Sequence, residues 1–118
     1  MFELTVESHF SSAHRLLNYE GKCENVHGHN WRVEITVAGE NLDKSGMLID
    51  FKILKSILND VVEELDHKNL NDLEAFKDIS PSSENIARYI YEELREKLPL
   101  LKQVSVWETE KAKATYTQ

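Results

Sequence analysis

The sequence lacks the features that mark disulfide-stabilised, membrane-spanning or disordered chains. It has one cysteine, so no internal disulfide can form and the thiol is free for packing, metal binding or chemistry. Only 4 glycines and 2 prolines occur in 118 residues, and no segment has low complexity, which is typical of an ordered globular chain. No apolar run approaches the roughly 20 residues of a membrane span, and no basic segment followed by an apolar stretch opens the chain. We therefore expect a cytoplasmic protein without a membrane partner.

Positive charge is also scarce, since 14 lysines and arginines face 21 acidic residues and the formal net charge is −7. This balance disfavours the phosphate-neutralising surface that nonspecific nucleic-acid binding requires, so we expect no nucleic-acid partner. A local basic pocket for one phosphorylated small molecule remains compatible with the composition. The length predicts a single domain over residues 1–118 with one ordinary core.

Hydrophobic periodicity predicts two strands and a helix in the first half of the chain. Apolar and polar residues alternate over 2–10 and again over 31–37, as in half-buried strands. From Phe51 to Leu65 the apolar residues recur at three- and four-residue steps, which indicates an amphipathic helix with Asp50 as its N-cap.

The second half is predicted to contain a helix and two short strands. Ser80 or Ser82 caps the helix, which ends near Pro99, and the strands cover 104–109 and 112–116. The segment 66–80 is polar and irregular. The order β-β-α-α-β-β predicts an α+β fold with both helices on one face of a four-stranded antiparallel sheet. Because so small a sheet exposes its edges, we expect an oligomer in which sheets from several copies close into a barrel.

Three histidines lie at or near the ends of the first two predicted strands. His27 and His29 are two apart on an extended chain, so both side chains project to one face and can bind one ion. His14 can supply a third ligand and leave a coordination position open for substrate or water. Zinc suits such a site, although iron, nickel and copper also accept imidazole. His9 lies on the polar face of its strand and is interpreted as a surface or interface residue.

Polar loops carry two further candidates for proton transfer. Cys23 lies four residues before His27, where nearby metal or imidazolium charge would favour the thiolate; the alternative is an inert buried thiol. Asp66 and His67 follow the first helix, and a carboxylate can orient an imidazole that titrates near neutrality. Taken alone, such a pair is also typical of a solvated loop.

Six ordered segments together resemble the 6-pyruvoyl-tetrahydropterin synthase superfamily, particularly its 6-carboxy-tetrahydropterin synthase branch. They are Phe10-Ser11-Ser12-Ala13-His14, Cys23 to His29, Gly46 to Phe51, Leu65-Asp66-His67 with Leu70-Asn71, Pro81 to Asn85, and Trp107-Glu108-Thr109. The resemblance covers nearly the whole chain. It implies the tunnelling fold, whose subunits form barrels, typically a homohexamer of two trimers with active sites at subunit interfaces.

The resemblance also implies a role for each candidate residue. It assigns one zinc ion per subunit to the three histidines, proton transfer to Cys23, and a partner acid/base pair to Asp66 and His67. Glu108 would anchor the pterin, because a carboxylate can accept two parallel hydrogen bonds from the guanidine-like edge of the ring, and Thr109 would assist. Glu110 is a competing candidate for that anchor.

The implied substrate is 7,8-dihydroneopterin triphosphate, and the implied products are 6-carboxy-tetrahydropterin, acetaldehyde and triphosphate, as in queuosine biosynthesis. Glu24 leaves the product open, because the chain also fits a Glu-x-x-His-Gly-His pattern that resembles folate-pathway relatives forming 6-hydroxymethyl-dihydropterin. Chains with Cys and Glu together resemble a dual-capable subgroup; otherwise Glu24 is a solvated loop acid. A 6-pyruvoyl product, a non-enzymatic zinc-binding assembly protein and a zinc hydrolase are the remaining alternatives.

Overall fold

The computed structural model describes residues 1–20 and 24–118. Two long strands open the chain and a hairpin closes it, with two helices between them. The elements are β1 (Phe2–His14), β2 (His27–Gly39), α1 (Phe51–Glu63), β3 (Lys68–Asn69), α2 (Ser83–Arg95), β4 (Leu101–Thr109) and β5 (Ala112–Thr117), with 3-10 turns at Leu70–Asp72 and Glu74–Phe76. Neither helix in these ranges is long and apolar enough to cross a bilayer.

The strands form one sheet in the order β3-β1-β2-β4-β5. The pairs β1-β2, β2-β4 and β4-β5 are antiparallel, whereas β3 lies parallel to β1 with Lys68 opposite Ser12. The prediction of a four-stranded, wholly antiparallel sheet was therefore wrong by one strand. A two-residue strand has no periodicity of its own, which is why the sequence pattern predicts an irregular segment over 66–80.

Both helices cover the same face of the sheet, which confirms the predicted α+β arrangement. Helix α1 packs on β1, α2 packs on β4 and β5, and the two helices contact each other. Alternate residues of the central strands point into this layer, as the period of a strand requires. The core contains, among others, Phe10, Trp31, Val33, Ile35, Val104 and Val106 from the strands and Leu54, Leu58, Ile86, Ile90 and Leu94 from the helices.

The helix ends position the loops that approach the site. The Asp50 carboxylate accepts the Lys52 N–H at 2.8 Å, as an N-cap side chain does, and Ser82 caps α2 through the Asn85 N–H. Helix α2 ends at Arg95, before the predicted limit at Pro99. Only Leu98, directly before Pro99, is biased away from helical geometry by the proline; a turn covers 96–97, and Leu98 stays buried.

Candidate functional site

The register of β1 and β2 brings the three histidines together on the helix-covered face. His14 lies opposite His27, and Ser12 lies opposite His29. Residues opposite each other in an antiparallel pair share a face, and every second residue returns to it. The ring centroids are 4.7 Å apart for His14 and His27, 4.8 Å for His27 and His29, and 5.2 Å for His14 and His29. The cluster therefore continues the buried face of the sheet at its end.

Backbone carbonyls orient two of these rings. The Nδ1 atom of His14 lies 2.7 Å from the Pro81 carbonyl oxygen, and that of His27 lies 2.9 Å from the Asn25 carbonyl oxygen. Because a carbonyl only accepts, each Nδ1 donates, and the Nε2 of the neutral ring presents a lone pair. Within residues 1–20 and 24–118, the buried Nε2 atom of His14 has no hydrogen-bond partner. Such an orphaned nitrogen fits the donor atom of a metal ligand.

Glu108, near the end of β4, adds a carboxylate to this cluster. Its Oε1 atom lies 2.9 Å from the Nε2 of His29 and 3.6 Å from the Nε2 of His14. One donor atom from each of the three histidines and Glu108 lies within 4.8 Å of the others, and the group could hold a metal ion. The family resemblance implies a pterin anchor at Glu108, whereas its position among the histidines emerges from the fold.

Burial favours the metal-binding form of His29. Loss of solvent lowers the pKa of this ring below its usual 6.5; the Glu108 carboxylate opposes the shift, and the His14 and His27 rings reinforce it. The neutral imidazole is therefore the prevailing form near neutral pH. Metal ions bind that form, because the coordinating nitrogen must be deprotonated.

Trp31 forms the floor of the cluster. Its side chain is fully buried, its ring lies edge-on to His14 at 4.8 Å and to His29 at 5.3 Å, and it stacks on Phe10 at 5.8 Å. The indole N–H donates to the Ser12 carbonyl oxygen at 3.1 Å. The hydrophobic core thus restricts the orientation of the His14 and His29 rings through their contacts with Trp31. Alternation in β2 could have identified this contact, since Trp31 and the histidines at 27 and 29 share one parity.

The loop before β2 places Glu24 beside the cluster, whereas Cys23 lies outside the described residues. The Leu16 N–H donates to Glu24 Oε1 at 3.0 Å, and the same oxygen is 3.8 Å from the Nε2 of His27. With 24% of its side chain exposed, Glu24 differs from a fully solvated loop acid. Its carboxylate is held where it can reach a group bound at the histidines.

Asp66 and His67 lie at the β1 edge of the sheet. Asp66 Oδ1 accepts the Ser11 N–H at 2.8 Å, and its Oδ2 is 3.4 Å from the His67 Nε2. The His67 backbone donates to the Ser11 carbonyl at 2.7 Å in a left-handed conformation with φ of 56°. The His67 ring is 83% exposed, and the metal-capable group does not include this pair. Asp66 and His67 therefore lie in contact with each other, and the imidazole of His67 is exposed to solvent.

Thr109 and Glu110 lie away from the metal-capable group. Both line a depression on the open face of the sheet with His9, Arg32 and Trp107, and Thr109 Oγ1 accepts the Lys111 N–H at 3.3 Å. Ser83 is closer, because its hydroxyl donates to Glu108 Oε2 at 3.3 Å from the first turn of α2. The sequence prediction missed Ser83, although its place at the start of a helix after Pro81 was a usable signal.

A solved structure has a similar fold. The structure of 6-pyruvoyl tetrahydropterin synthase from Caenorhabditis elegans matches with a TM-score of 0.85 and 35% sequence identity, over 100% of this chain and 97% of that one. The shared fold thus extends through the strands and helices that hold the histidines and Glu108.

Two relatives of similar identity carry different activity names. A 6-carboxy-5,6,7,8-tetrahydropterin synthase from Synechocystis is 39% identical over 98% of this chain and 93% of its own length. A dihydroneopterin monophosphate aldolase from Pyrococcus furiosus is 41% identical over 84% of this chain and 82% of its own. The family model for 6-pyruvoyl tetrahydropterin synthase matches residues 3–118. The chain therefore belongs to the 6-pyruvoyl tetrahydropterin synthase family and is an enzyme of that family.

Proposed function

We propose that the protein is a zinc-dependent 6-carboxy-tetrahydropterin synthase that converts 7,8-dihydroneopterin triphosphate to 6-carboxy-tetrahydropterin, acetaldehyde and triphosphate. The observation that carries the proposal is the convergence of His14, His27, His29 and Glu108 within 4.8 Å. A similarly named relative at 39% identity over 98% of the chain supports this product.

The three histidines would hold the zinc ion. Their fit to zinc rests on two Nδ1–H groups donated to carbonyls, on the buried, unpartnered Nε2 atom of His14 and on the neutral form favoured at His29. Bound there, zinc would make the substrate's side-chain hydroxyls more acidic and stabilise negative charge on their oxygens.

The remaining polar groups would bind the ring and move protons. The Glu108 carboxylate accepts hydrogen bonds from the pterin's amino group and ring N–H, which fixes the side chain over the histidines. Cys23 and His67 exchange protons with carbon and oxygen atoms of that side chain, and Asp66 keeps the His67 ring oriented through its 3.4 Å contact. Thr109 is not favoured as a pterin ligand within one subunit, because it lies on the open face.

A complete site would require a second subunit. His67 is 83% exposed and lies at the sheet edge, so its ring can reach into a site on a neighbouring copy. Beyond the two residues paired with β3, the outer edge of β1 has no strand partner in the described ranges, and neither has that of β5. Free edges of this kind favour strand pairing between copies, which supports a barrel-forming homo-oligomer, a hexamer in the family pattern.

Glu24 favours a second candidate, the aldolase-type formation of 6-hydroxymethyl-dihydropterin. Its carboxylate accepts the Leu16 N–H at 3.0 Å and lies 3.8 Å from the Nε2 of His27, close enough to act on a substrate bound at the histidines. The Pyrococcus relative named as an aldolase, at 41% identity, also supports this chemistry. An enzyme with both activities is compatible with the same arrangement.

Product identification separates these candidates. The zinc-loaded protein is incubated with 7,8-dihydroneopterin triphosphate, and wild type is compared with Cys23→Ala, Glu24→Ala and the exposed control Glu40→Ala. A carboxy-tetrahydropterin lost only in Cys23→Ala supports the proposal. A hydroxymethyl-dihydropterin lost only in Glu24→Ala favours the second candidate. If the wild-type protein forms no pterin product, both proposed activities are wrong, and a non-enzymatic metal-binding protein becomes the favoured hypothesis.

A further inference from the structure

Three backbone N–H groups directly after β1 bond to side chains. They belong to residues 15–17, a segment that we call the strap. Each donates to a side chain from a different loop: Arg15 to Asn71 Oδ1 at 2.8 Å, Leu16 to Glu24 Oε1 at 3.0 Å, and Leu17 to Ser80 Oγ at 2.9 Å. Because buried backbone donors need partners, these side chains determine the path of the chain after the strand has ended.

Among these three side chains, Asn71 makes the strongest connection to the strap. We propose that Asn71 is a positioning residue, which fixes the strap at Arg15 and thereby holds His14 and Glu24 in the geometry that the site requires. The part that concerns Glu24 and the substrate rests on the proposed function. The part that concerns His14 and metal affinity rests on the histidine cluster itself.

The segment that carries Asn71 approaches β1 beside β3. The parallel pairing sets Asn69 opposite Ala13. Two steps further, the same register would set Asn71 opposite Arg15, but there the chain has entered the 3-10 turn Leu70–Asp72. The Asn71 side chain replaces the missing backbone pair, because its Oδ1 accepts the Arg15 N–H and its Nδ2 donates to the Arg15 carbonyl at 3.0 Å.

An amide side chain is suited to this double contact. It presents an acceptor oxygen and a donor nitrogen side by side, whereas an ionised carboxylate only accepts. The base of the side chain is also fixed, since the Asn71 N–H donates to Asn69 Oδ1 at 3.2 Å and the preceding Leu70 is fully buried. Asn71 therefore transmits the position of its own turn to the strap.

The strap supports His14 from two directions. Arg15 is the next residue in the chain, so the bonds from Asn71 fix the backbone on one side of the histidine. The His14 ring contacts the Pro81 carbonyl at 2.7 Å, and Ser80, directly before Pro81, accepts the last N–H of the strap. Release of Arg15 would therefore loosen both the backbone and the ring of a candidate metal ligand.

The centre of the strap holds the Glu24 carboxylate. The Leu16 N–H donates to Glu24 Oε1, and the Glu24 N–H donates to the Leu16 carbonyl at 3.3 Å. The same carboxylate oxygen lies 3.8 Å from the Nε2 of His27. The residue that holds Glu24 is thus the neighbour of Arg15, the residue that Asn71 fixes.

A purely stabilising contact is the alternative role for Asn71. Asn59 provides the comparison, because its Oδ1 also bonds to β1 and accepts the Ser8 hydroxyl at 2.7 Å, six residues before His14. If both contacts only add stability, alanine at either position lowers the free energy of unfolding and leaves the folded site unchanged. If Asn71 positions the strap, only its replacement changes the site.

Zinc affinity tests the part that concerns His14 without any turnover. It is measured by competition with a chelator, at a temperature where circular dichroism shows the variants folded. We expect Asn71→Ala to bind zinc about 10-fold more weakly, as is typical when an outer contact that orients a ligand is lost, and Asn59→Ala to match wild type. Asn71→Asp keeps the acceptor for the Arg15 N–H and loses the donor, so its affinity should lie between those of Asn71→Ala and wild type.

Two results would overturn the proposal. One is a folded Asn71→Ala protein with wild-type zinc affinity, and the other is an equal loss of affinity in Asn59→Ala. If Asn71→Ala does not fold, Asn71→Asp decides the matter, and wild-type affinity in that variant overturns the proposal.

Steady-state kinetics with 7,8-dihydroneopterin triphosphate test the part that concerns Glu24. At saturating zinc, we expect Asn71→Ala to lower kcat at least about 10-fold with little change in KM, because a displacement of about 1 Å can cost about 100-fold in rate. Asn71→Asp should recover part of this loss, and Asn59→Ala should retain wild-type values. An unchanged kcat in Asn71→Ala would refute this part. An absence of product in wild type would refute the proposed reaction and this part with it, while the zinc affinities still decide the part that concerns His14.

Discussion

Replacing Trp31 by phenylalanine tests whether the hydrophobic core supports the candidate site. The indole is fully buried, stacks on Phe10, and donates its N–H to the Ser12 carbonyl at 3.1 Å. Phenylalanine keeps an aromatic ring attached to Cβ, but its side chain has two carbons fewer than that of tryptophan and lacks the N–H donor. The rings of His14 and His29, now at 4.8 and 5.3 Å from the indole, would lose part of their floor.

The expected loss can be estimated from the atoms removed. Two buried carbons at about 0.8 kcal/mol each account for about 1.6 kcal/mol of transfer free energy. The lost hydrogen bond to the Ser12 carbonyl adds about 1 kcal/mol. The free energy of unfolding of the metal-free protein should therefore fall by about 2–3 kcal/mol.

Urea unfolding of the metal-free protein, at one fixed protein concentration for all variants, measures this change. Trp107→Phe is the matched control. Trp107 lies half-buried on the opposite face, and Arg32 lies 3.9 Å above its ring. Its indole N–H has no partner in the part of the chain that the structure describes. Because phenylalanine retains a face for Arg32, that variant should lose less than about 1 kcal/mol. Equal losses in the two variants would refute the argument that the Trp31 side chain is the structural floor of the site.

Two further predictions concern the helices. Ser82→Ala removes the cap hydrogen bond to the Asn85 N–H, seen at 3.2 Å, and should lower the free energy of unfolding by about 1 kcal/mol, whereas Ser82→Thr should restore most of it; equal unfolding curves for all three proteins would contradict the cap. Burial, followed by the carboxylates of Glu93 and Glu64, raises the pKa of Tyr89 from 10.0 to about 12. The unfolded tyrosine releases its proton first, so this contribution to stability is complete below pH 10 and disappears as the pH rises toward 12. Tyrosinate absorbance and urea midpoints from pH 9 to 12 should show this loss in wild type and a shallower one in Tyr89→Phe; identical slopes would contradict it.

Local patterns in the sequence determined most of the secondary structure. Alternation over 2–10 and 31–37 predicts the first two strands, and the three- and four-residue steps from Phe51 to Leu65 predict the first helix, because these periods follow from backbone geometry alone. The predicted cap at Asp50 is present for the same reason, since it involves residues only two positions apart. The two-residue strand β3 has no such period, and only pairing with β1 defines it.

The sequence by itself also singled out the histidines at 14, 27 and 29, because residue type and spacing express what a metal ion requires. Their convergence with Glu108 was decided by tertiary structure, through the register that sets His14 opposite His27 and the pairing of β4 with β2, which brings the end of β4 to the histidines. The same holds for the contact of the Pro81 carbonyl with His14 and of the Ser83 hydroxyl with Glu108, because the packing of α2 and the residues just before it sets both positions. The physical reason is distance along the chain: a strand period or a helix cap is encoded within a few residues, whereas contacts between residue 14 and residue 108 depend on how whole strands align and where a helix packs on them.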